Sequence, residues 1–314
     1  MEKQNKAALP RILVLMSAYN GEKYLPEQIQ SILGQQGVEA YLLIRDDGSK
    51  DGTAALVEDL HSDRIQLDRR ENLGYMGSFM TLLQQADLGY DYYAFADQDD
   101  VWLEDKLITA IRMLRKQEGP ALYCSGQTYP DEKLQPIDTC HSNLDDLPEG
   151  VADPRWAVCT GIYGLGCTYV WNAEMQRAVA KGLKTLPAPP FPHDNFLSVA
   201  APFLGTLIRT GDQKMLYRQH GSNAGGNKKQ EGNRLKRALS TMTSLDDEDY
   251  RIRAWILEHY QDQIPSEKRT ILEQSLNYKK DAALRYRMLT NNWANGLNHH
   301  EQMKFAYRVL VKKL

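Results

Sequence analysis

Four short apolar runs in the first hundred residues each stop abruptly in a polar cluster, with a helical pattern between one run and the next. Arg11 to Tyr19 is continuous in Ile, Leu, Val and Met, as expected of a strand covered on both faces. It ends in Ser17-Ala18-Tyr19-Asn20-Gly21, and a helix is predicted from about Tyr24 to Gln35, with Leu25, Ile29, Ile32 and Leu33 on one face. Tyr41 to Arg45 ends in Asp46-Asp47-Gly48-Ser49-Lys50-Asp51-Gly52, before a helix from Thr53 to His61. Ile65 to Leu67 leads into Arg69-Arg70-Glu71-Asn72-Leu73-Gly74 and a helix over Met76 to Ala86. Tyr92 to Ala96 runs into Asp97-Gln98-Asp99-Asp100, after which Trp102, Leu107 and Ile111 begin another helical period. Strand and helix alternating at intervals of roughly 25–30 residues predict an α/β fold with a parallel sheet and helices on both faces.

Ligands of such sheets bind outside the carboxyl ends of the strands, so the four clusters should line one crevice. They supply acids for ribose hydroxyls and metal, a tyrosine to lie against a base, arginines for phosphate, and glycines for close backbone approach. Acids crowded at the end of a buried strand repel one another unless a cation sits among them. Oxygen ligands at i and i+2 suit a hard divalent ion such as Mg²⁺ or Mn²⁺. The competing reading is that these acids simply cap the next helix. No GxGxxG follows the first strand and no GxxxxGK[ST] is present, which argues against a dinucleotide and a P-loop. A nucleotide carrying one sugar fits better.

The bulk properties narrow the classes further. A net charge of −3 over 314 residues gives no reason to expect nucleic-acid binding. The four cysteines (Cys124, Cys140, Cys159, Cys167) show no CxxC spacing, so neither a zinc site nor a disulfide framework is indicated. The early apolar stretch, Ile12 to Met16, is too short for a signal-peptide core or a membrane span. The expectation is a soluble cytoplasmic protein, at most attached to the inner face of the cell membrane.

The order AYNGEKYL, DDGSKDGT, ENLG and DQDDVWLEDKL resembles family 2 glycosyltransferases of the GT-A fold, nearest to bacterial rhamnosyltransferases of cell-wall or capsular polysaccharide synthesis. The motifs extend from about Arg11 to Asn223. The resemblance implies a nucleotide-sugar donor, a divalent metal and inversion at the anomeric carbon. It places Ser17, Ala18, Tyr19 and Asp47 around the base, although Asp47-Gly48-Ser49 is also an ordinary turn. Arg70 and Asn72 would approach base or phosphates, against the plainer reading of Arg70 as an exposed loop arginine. Asp97 would lie near ribose and metal and Asp99 would bind the metal. Asp100 reads as the start of the next helix, with Asp105 and Lys106 on its solvated side.

After Gln117 the βα rhythm fails. Ala121 to Thr128 reads as a strand and Ala157 to Trp171 as a β-rich run whose glycines either approach a sugar or mark bulges. The resemblance makes Thr160 and Gly161 candidates for sugar contact there. In Pro187 to Phe196, His193-Asp194 opens an apolar helix. Spacing alone makes Asp194 a cap, whereas the resemblance makes it the general base, with His193 orienting it or touching the acceptor. Tyr217-Arg218-Gln219-His220-Gly221-Ser222-Asn223 resembles a strand-end family motif, which implies His220 on the metal or diphosphate with Arg218 assisting.

Composition changes near Gly225-Gly226-Asn227-Lys228-Lys229, suggesting a catalytic domain over 1–226 and a helical extension over 227–314. Helical patterns cover Arg234 to Leu239, Leu245 to Tyr260 with Ser244 as cap, and Ser266 to Leu289. In Glu301 to Leu314, Met303, Tyr307, Leu310 and Leu314 form one stripe with Lys304, Arg308 and Lys312 elsewhere. Such a helix packs on its own domain or a partner subunit, or lies on an anionic membrane. A homo-oligomer is left open. The predicted activity is transfer of a sugar, L-rhamnose from dTDP-rhamnose first, onto a saccharide or polyprenyl-linked acceptor. The alternatives are a UDP-hexose donor, a sugar-nucleotide pyrophosphorylase (disfavoured because SAYNGEKY is a poor phosphate loop) and a catalytically silent nucleotide-sugar scaffold.

Overall fold

The computed structural model describes residues 8–137, 142–183, 191–221 and 248–314. Strands β1 (Arg11–Ala18), β2 (Glu39–Asp46), β3 (Ile65–Arg69) and β4 (Tyr92–Ala96) alternate with helices α1 (Leu25–Leu33), α2 (Thr53–Asp59) and α3 (Gly74–Gln85). They pair in parallel in the order β3-β2-β1-β4. Ala18 lies opposite Asp46, Asp46 opposite Arg69, and Met16 opposite Ala96, so the four strands finish along one edge. Every polar cluster therefore opens on the same side of the sheet.

The alternation of side chains builds two cores. Leu13, Leu15, Tyr93 and Phe95 face α3, while Ile12, Val14, Met16, Ala94 and Ala96 face α1 and α4 (Lys106–Leu114). Between β4 and α4 the chain makes a two-residue strand, β5 (Val101–Trp102), paired with Leu216 and Met215. The expected helix thus begins four residues after Trp102, and Asp100 does not start it. Asp100 is wholly buried, and Asp105 occupies the cap position. Lys106 is buried too, because its ammonium lies 3.7 Å over the Trp102 ring instead of in water.

Beyond α4 the sheet becomes mixed. Strand β6 (Ala121–Thr128) pairs in parallel with β9 (Thr206–Leu216), and β8 (Val170–Asn172) inserts antiparallel between β4 and β6. The short β7 (Gly150–Val151) pairs with β9. The β-rich run expected over 157–171 is instead the end of a helix, a loop and a 3-10 turn before a short strand. Asp153 accepts a hydrogen bond from the Arg155 amide at 2.8 Å, and Pro154 opens α5 (Pro154–Thr160), which stops at Gly161 with φ of 75°. Only Val170–Asn172 is strand. Helices α6 (Ala173–Leu183) and α7 (His193–Leu204) then cover the α3 face.

Four later helices, α8 (Glu248–Tyr260), α9 (Ser266–Asn277), α10 (Ala282–Thr290) and α11 (His299–Leu310), pack onto the same face. Ile252, Ile256, Tyr260, Leu272, Met288, Trp293, Phe305 and Val309 join one apolar core with Leu13, Phe95 and Phe203. The single helix expected over Ser266 to Leu289 is broken after Asn277, and Asp281 caps the second piece through the Leu284 amide. The boundary expected at 226/227, the helix over Arg234 to Leu239, the Ser244 cap and Cys140 lie outside the described residues. No described helix is long and apolar enough to cross a membrane.

Candidate active site

The acid loop is held from three directions. Gln98 clamps β4 to β1, accepting from the Tyr19 amide at 2.9 Å and donating to the Tyr19 carbonyl at 3.1 Å. Gln28 on α1 donates to the Asp97 carbonyl at 3.0 Å. After β9, Arg218 donates through Nε to the Asp99 carbonyl at 2.9 Å, and its amide donates to Asp100 Oδ1 at 3.2 Å. Its other nitrogens reach the Glu132 carbonyl and the Glu27 carboxylate. The side chain of His220 follows, with Nε2 2.8 Å from Asp99 Oδ2 and its ring stacked on Tyr24 at 4.6 Å. The carboxylates are crowded. Burial, then the charges of Asp99 and Asp194, push Asp97 up to about 7. Burial and the charges of Asp97 and Asp99 raise Asp100 well above the carboxylate range.

In front of this loop lies a cavity of about 580 Å³. One wall is made by Ser17, Tyr19, Asp47 and Asn72 from the ends of β1, β2 and β3. Asp47 is buried in an ion pair with Arg45, and its Oδ1 also accepts from the Leu73 amide at 2.9 Å. Asn72 donates to the Asp47 carbonyl at 2.8 Å, which joins the two loops. Ala18 is buried and accepts from the Asp47 amide at 2.8 Å, while Tyr19 is exposed and free to lie against a flat ligand. The same cavity is lined by Asp194, in the first turn of α7. Its neighbour His193 is locked in the core, stacked on Phe79 at 3.9 Å and edge-on to Phe95 at 4.7 Å. A Cβ at Gly166 would run into the His193 ring, so glycine is needed for this close approach. Burial lowers the His193 pKa, which keeps the ring neutral. Asp97, Asp99 and Asp194 thus line a single cavity, and the charge of Asp194 is felt by Asp97.

These residues fit a divalent cation. Asp97, Asp100 and Cys167 each offer a ligand atom within 4.8 Å of the others. Asp100 Oδ2 is buried without a hydrogen-bond partner, and Asp97 is raised by burial and then by the charges of Asp99 and Asp194. Burial pushes the Cys167 thiol well above its ordinary range, so it stays protonated and is a poor ligand. Hard oxygen donors from the acid loop suit Mg²⁺ or Mn²⁺.

A model of "Glycosyl transferase family 2" matches residues 13–141. The dTDP-rhamnosyl transferase RfbG of Shigella flexneri is 30% identical over 221 residues, covering 67% of this chain and 73% of that protein. The chain belongs to glycosyl transferase family 2. A second relative of this glycosyltransferase is the UDP-Glc:alpha-D-GlcNAc-diphosphoundecaprenol beta-1,3-glucosyltransferase WfgD of Escherichia coli, 33% identical over 36% of this chain and 44% of that protein. Among solved structures, TarS 1-349 of S. aureus in complex with UDP-GlcNAc superposes with a TM-score of 0.56 at 15% identity, covering 94% of this chain and 78% of TarS. The mannosyltransferase PcManGT of Pyrobaculum calidifontis, in complex with GDP-Man and Mn²⁺, gives 0.51 at 16% identity, covering 98% and 88%. These are GT-A glycosyltransferases, and this enzyme shares their fold.

Not every expected residue of the glycosyltransferase reaches the cleft. Thr160 and Gly161 end α5, with Thr160 buried and Gly161 against the Asp249 carboxylate of α8, so they face the helical layer and not a sugar. Arg70 pairs with Asp68 at 2.7 Å over a neighbouring open groove of about 990 Å³. Arg218 lies behind the acid loop, its guanidinium directed at main-chain carbonyls and Glu27. His220 is not among the residues lining the cleft, and touches Asp99, which is. Conversely, Gln98, Arg45, Cys167 and Tyr217 shape the site without having been singled out. Gln98 sits inside the acid motif, and Tyr217 opens the strand-end motif. Nothing in the spacing marks Arg45 or Cys167.

Proposed function

We propose that this enzyme is an inverting, metal-dependent transferase that moves L-rhamnose from dTDP-rhamnose to a saccharide or polyprenyl-linked acceptor in cell-surface polysaccharide synthesis. The observation that carries this reading is that Asp194 lines one cavity with Asp97 and Asp99, close enough for its charge to raise the Asp97 pKa. The donor assignment draws on the likeness to RfbG. A UDP-hexose is the second reading, favoured by the donor in WfgD's name and by the UDP-GlcNAc bound to TarS.

In this reading Tyr19 packs on the base and the Asp47–Asn72 junction fixes its edge. The donor's anomeric carbon lies between the acid loop and α7. Asp194 takes the proton of the acceptor hydroxyl while that oxygen bonds to the anomeric carbon. The bond from carbon to the diphosphate oxygen breaks on the opposite face, and the nucleoside diphosphate leaves with the bonding pair. The acid-loop carboxylates Asp97, Asp99 and Asp100, with His220 behind Asp99, would hold the cation, which when bound neutralises charge on a departing diphosphate. The buried pairs around Asp47 and Arg218 keep these groups pre-positioned.

The test is release of nucleoside diphosphate on adding acceptor, across a panel of dTDP- and UDP-sugars with Mn²⁺. Asp194→Asn should lower kcat by about 10²–10⁴-fold while calorimetric donor affinity stays within about two-fold. Equal loss of both would move the base elsewhere. Donor binding without any release would leave the scaffold reading.

A further inference from the structure

We infer that the outward face of α11, together with the lysines that follow it, docks the enzyme on an anionic lipid surface. Helix α11 uses Glu301, Phe305, Arg308 and Val309, spaced i, i+4, i+7 and i+8, to pack into the protein. That stripe is already sufficient to seat the helix. A second apolar stripe points the other way. Met303 is 58% exposed and Leu310 67%, with half-buried Tyr307 between them and exposed Val311 just beyond the helix. The adjacent α10 adds exposed Tyr286 and Leu289. A single exposed leucine would mean nothing, but several large apolar groups on two neighbouring helices mark an interaction surface.

Charge identifies the partner. Residues 279–314 hold eight Lys and Arg against two Asp and Glu, a net +6 in a chain whose total is −3. The rest of the chain therefore carries −9. Arg308 is buried against Asp249, and Lys304 pairs with Glu301. Lys280, Arg287, Lys312 and Lys313 are exposed. Lipid headgroups satisfy such cations while the acyl boundary takes up the apolar stripe, and a convex helix face needs no matching groove. A second copy meeting this face about a two-fold axis would bring like charges together. The surface is separate from the sugar-transfer site, so the inference stands whether or not the donor assignment does.

Sedimentation of the full chain with phosphatidylcholine vesicles, with and without roughly one-third phosphatidylglycerol, tests it. The protein should pellet with the anionic vesicles at low salt, stay in the supernatant with pure phosphatidylcholine, and be released by high salt. Met303→Glu/Leu310→Glu and, separately, Lys312→Glu/Lys313→Glu should each lower the partition coefficient by about ten-fold or more. Both variants should keep the wild-type Tm and full transfer to a water-soluble acceptor. No binding to anionic vesicles, or binding that both variants retain, overturns the inference. So does an oligomer that Leu310→Glu dissolves without any vesicle binding by the wild type.

Discussion

Asp97 shows how one residue reports the state of the whole site. Its pKa of about 7 stands well above the ordinary carboxylate value of 3.8 because it is desolvated beside Asp99 and facing Asp194. Between about pH 4 and 7 the folded cation-free protein therefore binds more protons than the unfolded chain, and stability falls as pH rises through that window. A cation held by these acids relieves the penalty only where Asp97 would otherwise have to ionise. Mn²⁺ should accordingly raise the Tm of chelator-treated enzyme more at pH 7.5 than at pH 5, and scanning calorimetry at the two values measures it. An equal gain at both would place the ion away from Asp97. Lys106 has the opposite displacement: burial lowers it to about 7 over the Trp102 ring.

At the scale of elements, most of the site is built by strand ends and a single helix start. The parallel half was legible because its apolar runs are short and closed by turn-forming residues, and length with flanking turns reads such runs as buried strands. The loops at Asp47, Asn72, Asp97 and Asp99 follow directly from that register. Legibility fails at 157–171, where short apolar stretches with three glycines satisfy strand and helix patterns equally. The deciding signal is Asp153-Pro154, a cap followed by proline at the first turn. Thr160 and Gly161, expected near a sugar from the resemblance, instead close the helix that this signal starts. Helix α11 is tied to α8 and α5 by Arg308, which donates to Asp249 Oδ2 at 2.6 Å and to the Cys159 carbonyl at 3.3 Å. Arg308→Ala would leave both acceptors stranded and should cost about 3 kcal/mol in urea unfolding. A change below about 0.5 kcal/mol would show that water replaces the guanidinium there.

Over the whole molecule, the later helices are part of the fold and not an ornament. Ile252, Tyr260, Leu272 and Phe305 complete the core that also holds Phe95, Phe203 and, in α7, Phe196 and Leu197. A chain ending at residue 247 should lose cooperative thermal unfolding and aggregate on expression, because it uncovers that apolar layer. A soluble fragment with a sharp melt would contradict this. The change in composition near 225 suggested an appendage, since amphipathic helices look alike whether they seat on a neighbour or stand apart. Only the contacts distinguish the two.

Strand β8 fills the slot between β4 and β6, although it is made 78 residues after β4 begins. During synthesis the first four strands can associate early, yet the β4 side of that ribbon stays unzipped until Val170–Asn172 emerges. The nascent enzyme thus passes through an interval with an open backbone edge directly beside its future acid loop. Chaperone capture should concentrate in that interval, and the two walls of the cleft can meet only once it has closed.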